Sequence, residues 1–81
     1  MKTAIVTGSS YGIGYSITSK LLDEGYKVYG ISRSETKIYN DNFVWLKCDF
    51  YNQEEIKETT KLIKEEKIDL LINNAGTAFK L

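Results

Sequence analysis

The sequence predicts an α/β domain: a parallel sheet with expected strand order 3-2-1-4 and helices on its faces. Three observations carry that expectation. Short apolar runs alternate with segments of helical period, the first run passes through a glycine-rich turn straight into a helical pattern, and that first run, residues 1–6, is continuous apart from Lys2 and Thr3, as suits a central parallel strand better than a one-sided antiparallel one.

The first run ends at Val6 and is followed by Thr7-Gly8-Ser9-Ser10-Tyr11-Gly12-Ile13-Gly14. Strand, glycine turn and helix in immediate succession are the context a phosphate cradle demands. Gly8 permits the sharp turn, Gly12 lets backbone approach a pyrophosphate, and Gly14 lets the new helix lie close on the sheet. The helix then offers unpaired N–H groups and the positive end of its dipole to an anion. Its apolar positions Ile13, Ile17 and Leu21, widened by Leu22, are expected to face the sheet over residues 12–24, with Gly25 as the left-handed stop.

A second strand is expected over residues 26–31, broken only by Gly30, where another backbone or a ligand is expected to come close. Residues 34–42 are polar and too short for a full crossover helix, so a single helical turn at most is expected. The third strand covers residues 43–48. Asn52 and Glu55 read as a capping box opening a helix that runs to about residue 66, with Ile56, Thr60 and Ile63 inward and Glu58, Lys61 and Glu65 paired on the solvated face. The fourth strand covers residues 68–72.

Composition narrows the function classes. Eleven basic and eleven acidic residues cancel, which gives no electrostatic reason to expect a nucleic-acid or anionic-membrane partner. One cysteine and no histidine exclude an internal disulfide and leave no conventional transition-metal set; Cys48 reads as strand filling. The apolar run after Met1 is far too short for a secretory signal or a membrane span, so a cytoplasmic location is expected by default.

In an open parallel sheet, ligands bind at the carboxyl ends of the strands, beside the point where strand order reverses. The glycine turn, Ser32-Arg33 and Asn73-Asn74-Ala75-Gly76 all follow strands there and are expected to converge on one crevice. Thr7-Gly8-x-x-x-Gly12-Ile13-Gly14 together with Asp69-Leu70-Leu71-Ile72-Asn73-Asn74-Ala75-Gly76 resembles the short-chain dehydrogenase/reductase family. The resemblance spans the whole chain but only the family's cofactor half, so residues 1–81 read as a single partial dinucleotide-binding, Rossmann-like domain with the catalytic half absent.

The resemblance implies that Gly8, Ser10, Gly12, Ile13 and Gly14 hold the pyrophosphate and adenosine ribose. It implies that Asn73, Asn74, Ala75 and Gly76 steady the central sheet beside the nicotinamide. At the end of the second strand an acidic residue would select a free ribose 2′-OH; Ser32 and Arg33 stand there instead, and a hydroxyl with a guanidinium fork suits a 2′-phosphate. NADP is therefore expected over NAD, although an arginine in that position is also ordinary solvated surface. Asp49 resembles the family aspartate that contacts the adenine amino group, with Phe50 along the ring edge; Asp49 reads equally well as a turn residue before the next helix.

Family catalysis uses a tyrosine with a lysine four residues later. The residues four beyond Tyr11, Tyr15, Tyr26, Tyr29, Tyr39 and Tyr51 are Tyr15, Ser19, Gly30, Arg33, Phe43 and Glu55, so no catalytic residue is assigned and the chain alone is expected to transfer no hydride. The expectation is the NADP(H)-binding portion of an oxidoreductase, truncated before its catalytic residues. A stand-alone nucleotide-sensing module and a structural remnant that binds nothing are the alternatives. The fourth strand, left on the sheet edge with Leu70, Leu71 and Ile72 toward water, adds the expectation of a homodimer through that edge.

Overall fold

The computed structural model describes residues 1–64 and 66–74. Its elements, in chain order, are β1 (Thr3–Thr7), α1 (Gly12–Asp23), β2 (Lys27–Ser32), β3 (Phe43–Lys47), α2 (Gln53–Ile63) and β4 (Leu70–Asn73). The strands form one sheet in the order β3-β2-β1-β4, and every pairing is parallel. In register, Ile5 lies between Tyr29 of β2 and Leu71 of β4.

Every residue of β1 is buried, as expected of a strand flanked on both edges and covered on both faces. Alternation then divides the core in two. Ala4, Val6 and Val28 point to one face with Leu21 of α1, while Ile5, Tyr29 and Ile31 point to the other with Cys48 and Ile63 of α2. Full burial of a side chain such as Ile5 contributes about 1.5–3 kcal/mol.

Helix α1 stops as its sequence requires. Gly25 adopts φ 90°, its N–H donates to the Leu22 carbonyl at 3.0 Å, and the Tyr26 N–H donates to the Leu21 carbonyl at 3.0 Å. This pair of bonds satisfies carbonyls that the helix end would otherwise leave open. Its inner face differs from the expected stripe: Gly14, Thr18 and Leu21 are buried, Ile17 and Leu22 are half-buried, and Ile13 is 70% exposed. Ile13 sits in the first turn, where its side chain lines the crevice at the strand ends instead of entering the core.

Residues 33–42 carry no helix, in keeping with the expected limit of a single helical turn; the Phe43 N–H donates to the Asn40 carbonyl at 3.0 Å in one turn before β3, and buried Thr36 anchors the segment. At Gly30 the close neighbours are side chains rather than the backbone or ligand expected: a Cβ there would stand 2.6 Å from Ser9 Oγ and 2.7 Å from the Phe43 ring. The capping box is only half formed. Asn52 Oδ1 accepts the Glu55 N–H at 3.2 Å, but the Asn52 N–H is already taken by the Asp49 carbonyl at 2.8 Å, so the Glu55 carboxylate accepts the Asp49 N–H instead.

On the outer face of α2 the expected Glu58–Lys61 ion pair is not formed among the described residues. Among the described residues the ion pairs are Lys20–Glu24 at 3.8 Å and Lys27–Glu66 at 3.5 Å; Glu65 lies outside the described residues. On β4, alternation turns Leu70 and Ile72 onto the α1-side core and leaves Leu71 exposed, so one of three apolar side chains faces water rather than all three. Among the described residues no helix is long and apolar enough to cross a membrane.

Candidate functional site

The carboxyl ends of β1, β2 and β3 open onto a crevice of about 390 Å³, whose lining includes Gly8, Ser10, Gly12 and Ile13 from the glycine turn and Ser32, Arg33 and Ser34 after β2. Asp49, Phe50 and Asn74 stand on its walls as well, whereas Gly14 and Asn73 do not line it. Sequence segments that lie tens of residues apart are thus brought to one end of the sheet, on both sides of the reversal in strand order.

The glycine turn is shaped by backbone that other residues adopt poorly. Gly8 has φ 67° and passes its N–H to the Ile31 carbonyl at 2.8 Å, which ties the turn to β2. Gly12 has φ 62°, and no atom lies within 4 Å of where its Cβ would be, so it presents bare backbone to open space at the start of α1. Gly14 does not line the crevice. It is buried beneath it, where a Cβ would fall 2.0 Å from the Gly8 carbonyl oxygen and 2.8 Å from Asn74 Nδ2. The missing Cβ is what lets the first turn of α1 lie against the cradle.

The start of α1 carries no acidic residue, and its N-cap Tyr11 makes no side-chain capping bond among the described residues. An uncapped helix N-terminus presents donors and a partial positive charge to the space in front of it. Arg33, exposed on the neighbouring wall, adds a full positive charge to the same crevice. The arrangement can receive an anionic, extended ligand.

Asn73 and Asn74 have separate tasks. The Thr7 hydroxyl donates to Asn73 Oδ1 at 3.0 Å and accepts the Asn74 N–H at 2.9 Å, so the pair clamps β4 to the end of β1 while Asn74 also reaches the crevice. Ala75 and Gly76 lie outside the described residues. Asp49 serves as a turn residue, its Oδ1 accepting the Tyr51 N–H at 3.0 Å, and lines the crevice as well.

Ser32 is 4% exposed and its hydroxyl turns inward, donating to the Ser34 carbonyl at 2.6 Å and accepting the Trp45 indole N–H at 2.9 Å. Sequence reasoning did not place Tyr11, Ser34, Cys48 or Tyr51 on the crevice, though each adjoins a residue that it did place there. Cys48 fills the α2-side core as expected. Burial pushes its thiol above the ordinary value, partly offset by a hydrogen bond with Thr59, which makes it a poor thiolate.

A family model for the short chain dehydrogenases matches residues 2–80. The chain belongs to that family. Dehydrogenase/reductase SDR family member 11 of Gallus gallus is 38% identical over an alignment that covers 95% of this chain and 35% of that one. A short chain dehydrogenase family protein from Francisella tularensis superposes with a TM-score of 0.88 at 30% identity, covering 99% of this chain and 33% of the other. A short chain dehydrogenase from Leptospira borgpetersenii, solved with bound NAD+, gives a TM-score of 0.84 at 27% identity over 96% of this chain and 32% of that one. The chain therefore spans about a third of the length of these short-chain dehydrogenases.

Proposed function

We propose that the crevice binds the adenosine and pyrophosphate end of a nicotinamide dinucleotide, NADP(H) in preference to NAD(H), and that the chain is the cofactor-binding portion of an oxidoreductase. The observation that carries this reading is the uncapped, acid-free start of α1 facing the same crevice as Arg33. Family membership and the NAD+ held by the Leptospira relative support the cofactor class.

The residues present fit such a group. Bare backbone at Gly12 gives a pyrophosphate room to approach, and the first N–H groups of α1 would bind it. Arg33 would hold a ribose 2′-phosphate bidentately, and Asp49 and Phe50 would meet the adenine. When bound, the cofactor supplies a hydride donor or acceptor; these residues position its far end. No tyrosine in the chain is followed by lysine four residues on, so proton transfer to a substrate is not assigned to any residue here.

Titration calorimetry of the chain with NADPH and NADH tests the reading. NADPH is expected to bind more tightly, and Arg33→Ala to reduce that preference by about tenfold, the scale of one charge-assisted hydrogen-bonding contact. Equal affinities, or a preference that survives Arg33→Ala, would remove Arg33 from the site; binding of neither cofactor would overturn the cofactor reading itself.

A further inference from the structure

Ser9, Thr36 and Ser32 form a connected group of buried hydroxyls between the glycine turn and the segment that carries Arg33. Ser9 Oγ lies 2.8 Å from Thr36 Oγ1, and Thr36 Oγ1 lies 3.3 Å from Ser32 Oγ. Ser9 is fully buried, and Thr36 and Ser32 are 3% and 4% exposed.

Hydrogen-bond capacity fixes the direction of the chain. A hydroxyl has one proton to donate and two lone pairs with which to accept. The proton of Ser32 goes to the Ser34 carbonyl, which can only accept, so Ser32 Oγ must receive both the Trp45 indole N–H and the Thr36 hydroxyl. Thr36, having donated to Ser32, must in turn accept from Ser9. The bonds therefore run one way, from Ser9 through Thr36 and Ser32 to the backbone of Ser34.

Two consequences follow. The hydroxyl of Ser32 has no capacity left for a ligand, so its part at the crevice is indirect. The conformation of the Arg33–Ser34 backbone is tied through Thr36 to the phosphate turn, and the absent side chain of Gly30 is what makes room for Ser9 in this arrangement. Buried networks whose members are all satisfied hold one geometry, whereas loss of a member leaves an unpaired polar group.

We propose that Thr36 is a specificity-determining positioning residue: through the directed hydroxyl chain it holds the Arg33–Ser34 segment in the conformation that favours a 2′-phosphorylated dinucleotide. The proposal rests on the cofactor reading above, and it replaces Ser32 as a direct phosphate ligand with Ser32 as a relay. Thr36 itself does not line the crevice.

The test is the NADPH-to-NADH affinity ratio of the chain, measured by calorimetry for the parent, Thr36→Val and Thr36→Ser. Valine keeps the volume and removes the hydroxyl; serine keeps the hydroxyl. The ratio is expected to fall roughly fivefold in Thr36→Val, the worth of about one net hydrogen bond, and to be restored in Thr36→Ser. Amide exchange at residues 33–36, measured without cofactor, is expected to rise in Thr36→Val alone. A Thr36→Val protein with the parental ratio, a Thr36→Ser protein that fails to restore it, or exchange at residues 33–36 that does not respond would each overturn the inference. A parent chain that binds neither dinucleotide would instead overturn the cofactor reading, and the exchange measurement would still decide whether Thr36 holds the segment.

Discussion

The two helices begin in opposite ways. Helix α2 closes its own N-terminus: Asn52 Oδ1 accepts the Glu55 N–H, and Glu54 and Glu55 place negative charge in the first turn. Helix α1 has Tyr11 as its N-cap with no side-chain capping bond among the described residues, no acid in its first turn and two left-handed glycines around the approach. One end is satisfied within the protein and stabilises it; the other keeps its donors and dipole available at some cost in stability. A helix start that the chain leaves unfinished, beside an exposed arginine, is an address for an anion.

Substituting Gly12 would break the contrast most severely. Gly12→Val forces a β-branched residue to φ 62° and fills the bare approach to α1, so dinucleotide binding by calorimetry is expected to fall by at least about tenfold, the left-handed strain alone being of order 1–3 kcal/mol. Unchanged affinity would move the anion site away from α1. At the other helix, Asn52→Ala should lower stability by about 1 kcal/mol in urea unfolding while leaving dinucleotide affinity unchanged, because that cap serves only the fold. An Asn52→Ala protein that loses affinity in proportion would mean that the two ends are not separate in function.

The smallest effect concerns Glu66, just beyond α2. The hydroxyl of Tyr29, and after it the charge of Lys27, hold the Glu66 carboxyl below its ordinary value of 4.5. A depressed carboxyl contributes stability above its unfolded pKa and loses it as pH falls through the lower folded value. Lys27, raised from 10.5 chiefly by Tyr29, contributes below that value and loses its share as pH rises through the higher folded one. Glu66→Gln is therefore expected to flatten the acid limb of a stability-versus-pH profile slightly and to leave cofactor affinity as it was; an unchanged acid limb would show the contact to be worth nothing in solution.

Much of this was legible in the residues because it depends on local chemistry. Gly25 at a helix end, Gly12 before a helix and alternating apolar runs each have one ready physical meaning, and the strand order follows from crossover handedness. What was not legible depends on tertiary placement. Ile13 fits the helical stripe, yet it lines the crevice and stays exposed. Glu55 has the spacing of a capping box, but a turn from Asp49 had already occupied the donor it would have reached. Ser32 looks like a phosphate ligand until the Ser34 carbonyl, the Trp45 indole from β3 and Thr36 from the irregular segment are seen to saturate it.

The position of β1 has a consequence for how the chain reaches this structure. All five of its residues are buried, and one of its two neighbours, β4, pairs Ala4 with Leu70 from the far end of the described chain. During synthesis β1 is therefore made before β2, β3 and β4 but is paired on both edges only once β4 has been made. The β1–α1–β2 unit can assemble early from near contacts, but it then exposes an apolar strand edge until β4 arrives to cover it. Closure over so long a separation is slow, and in that interval an open β1 edge is the place where a second nascent chain, or a chaperone, would engage the polypeptide.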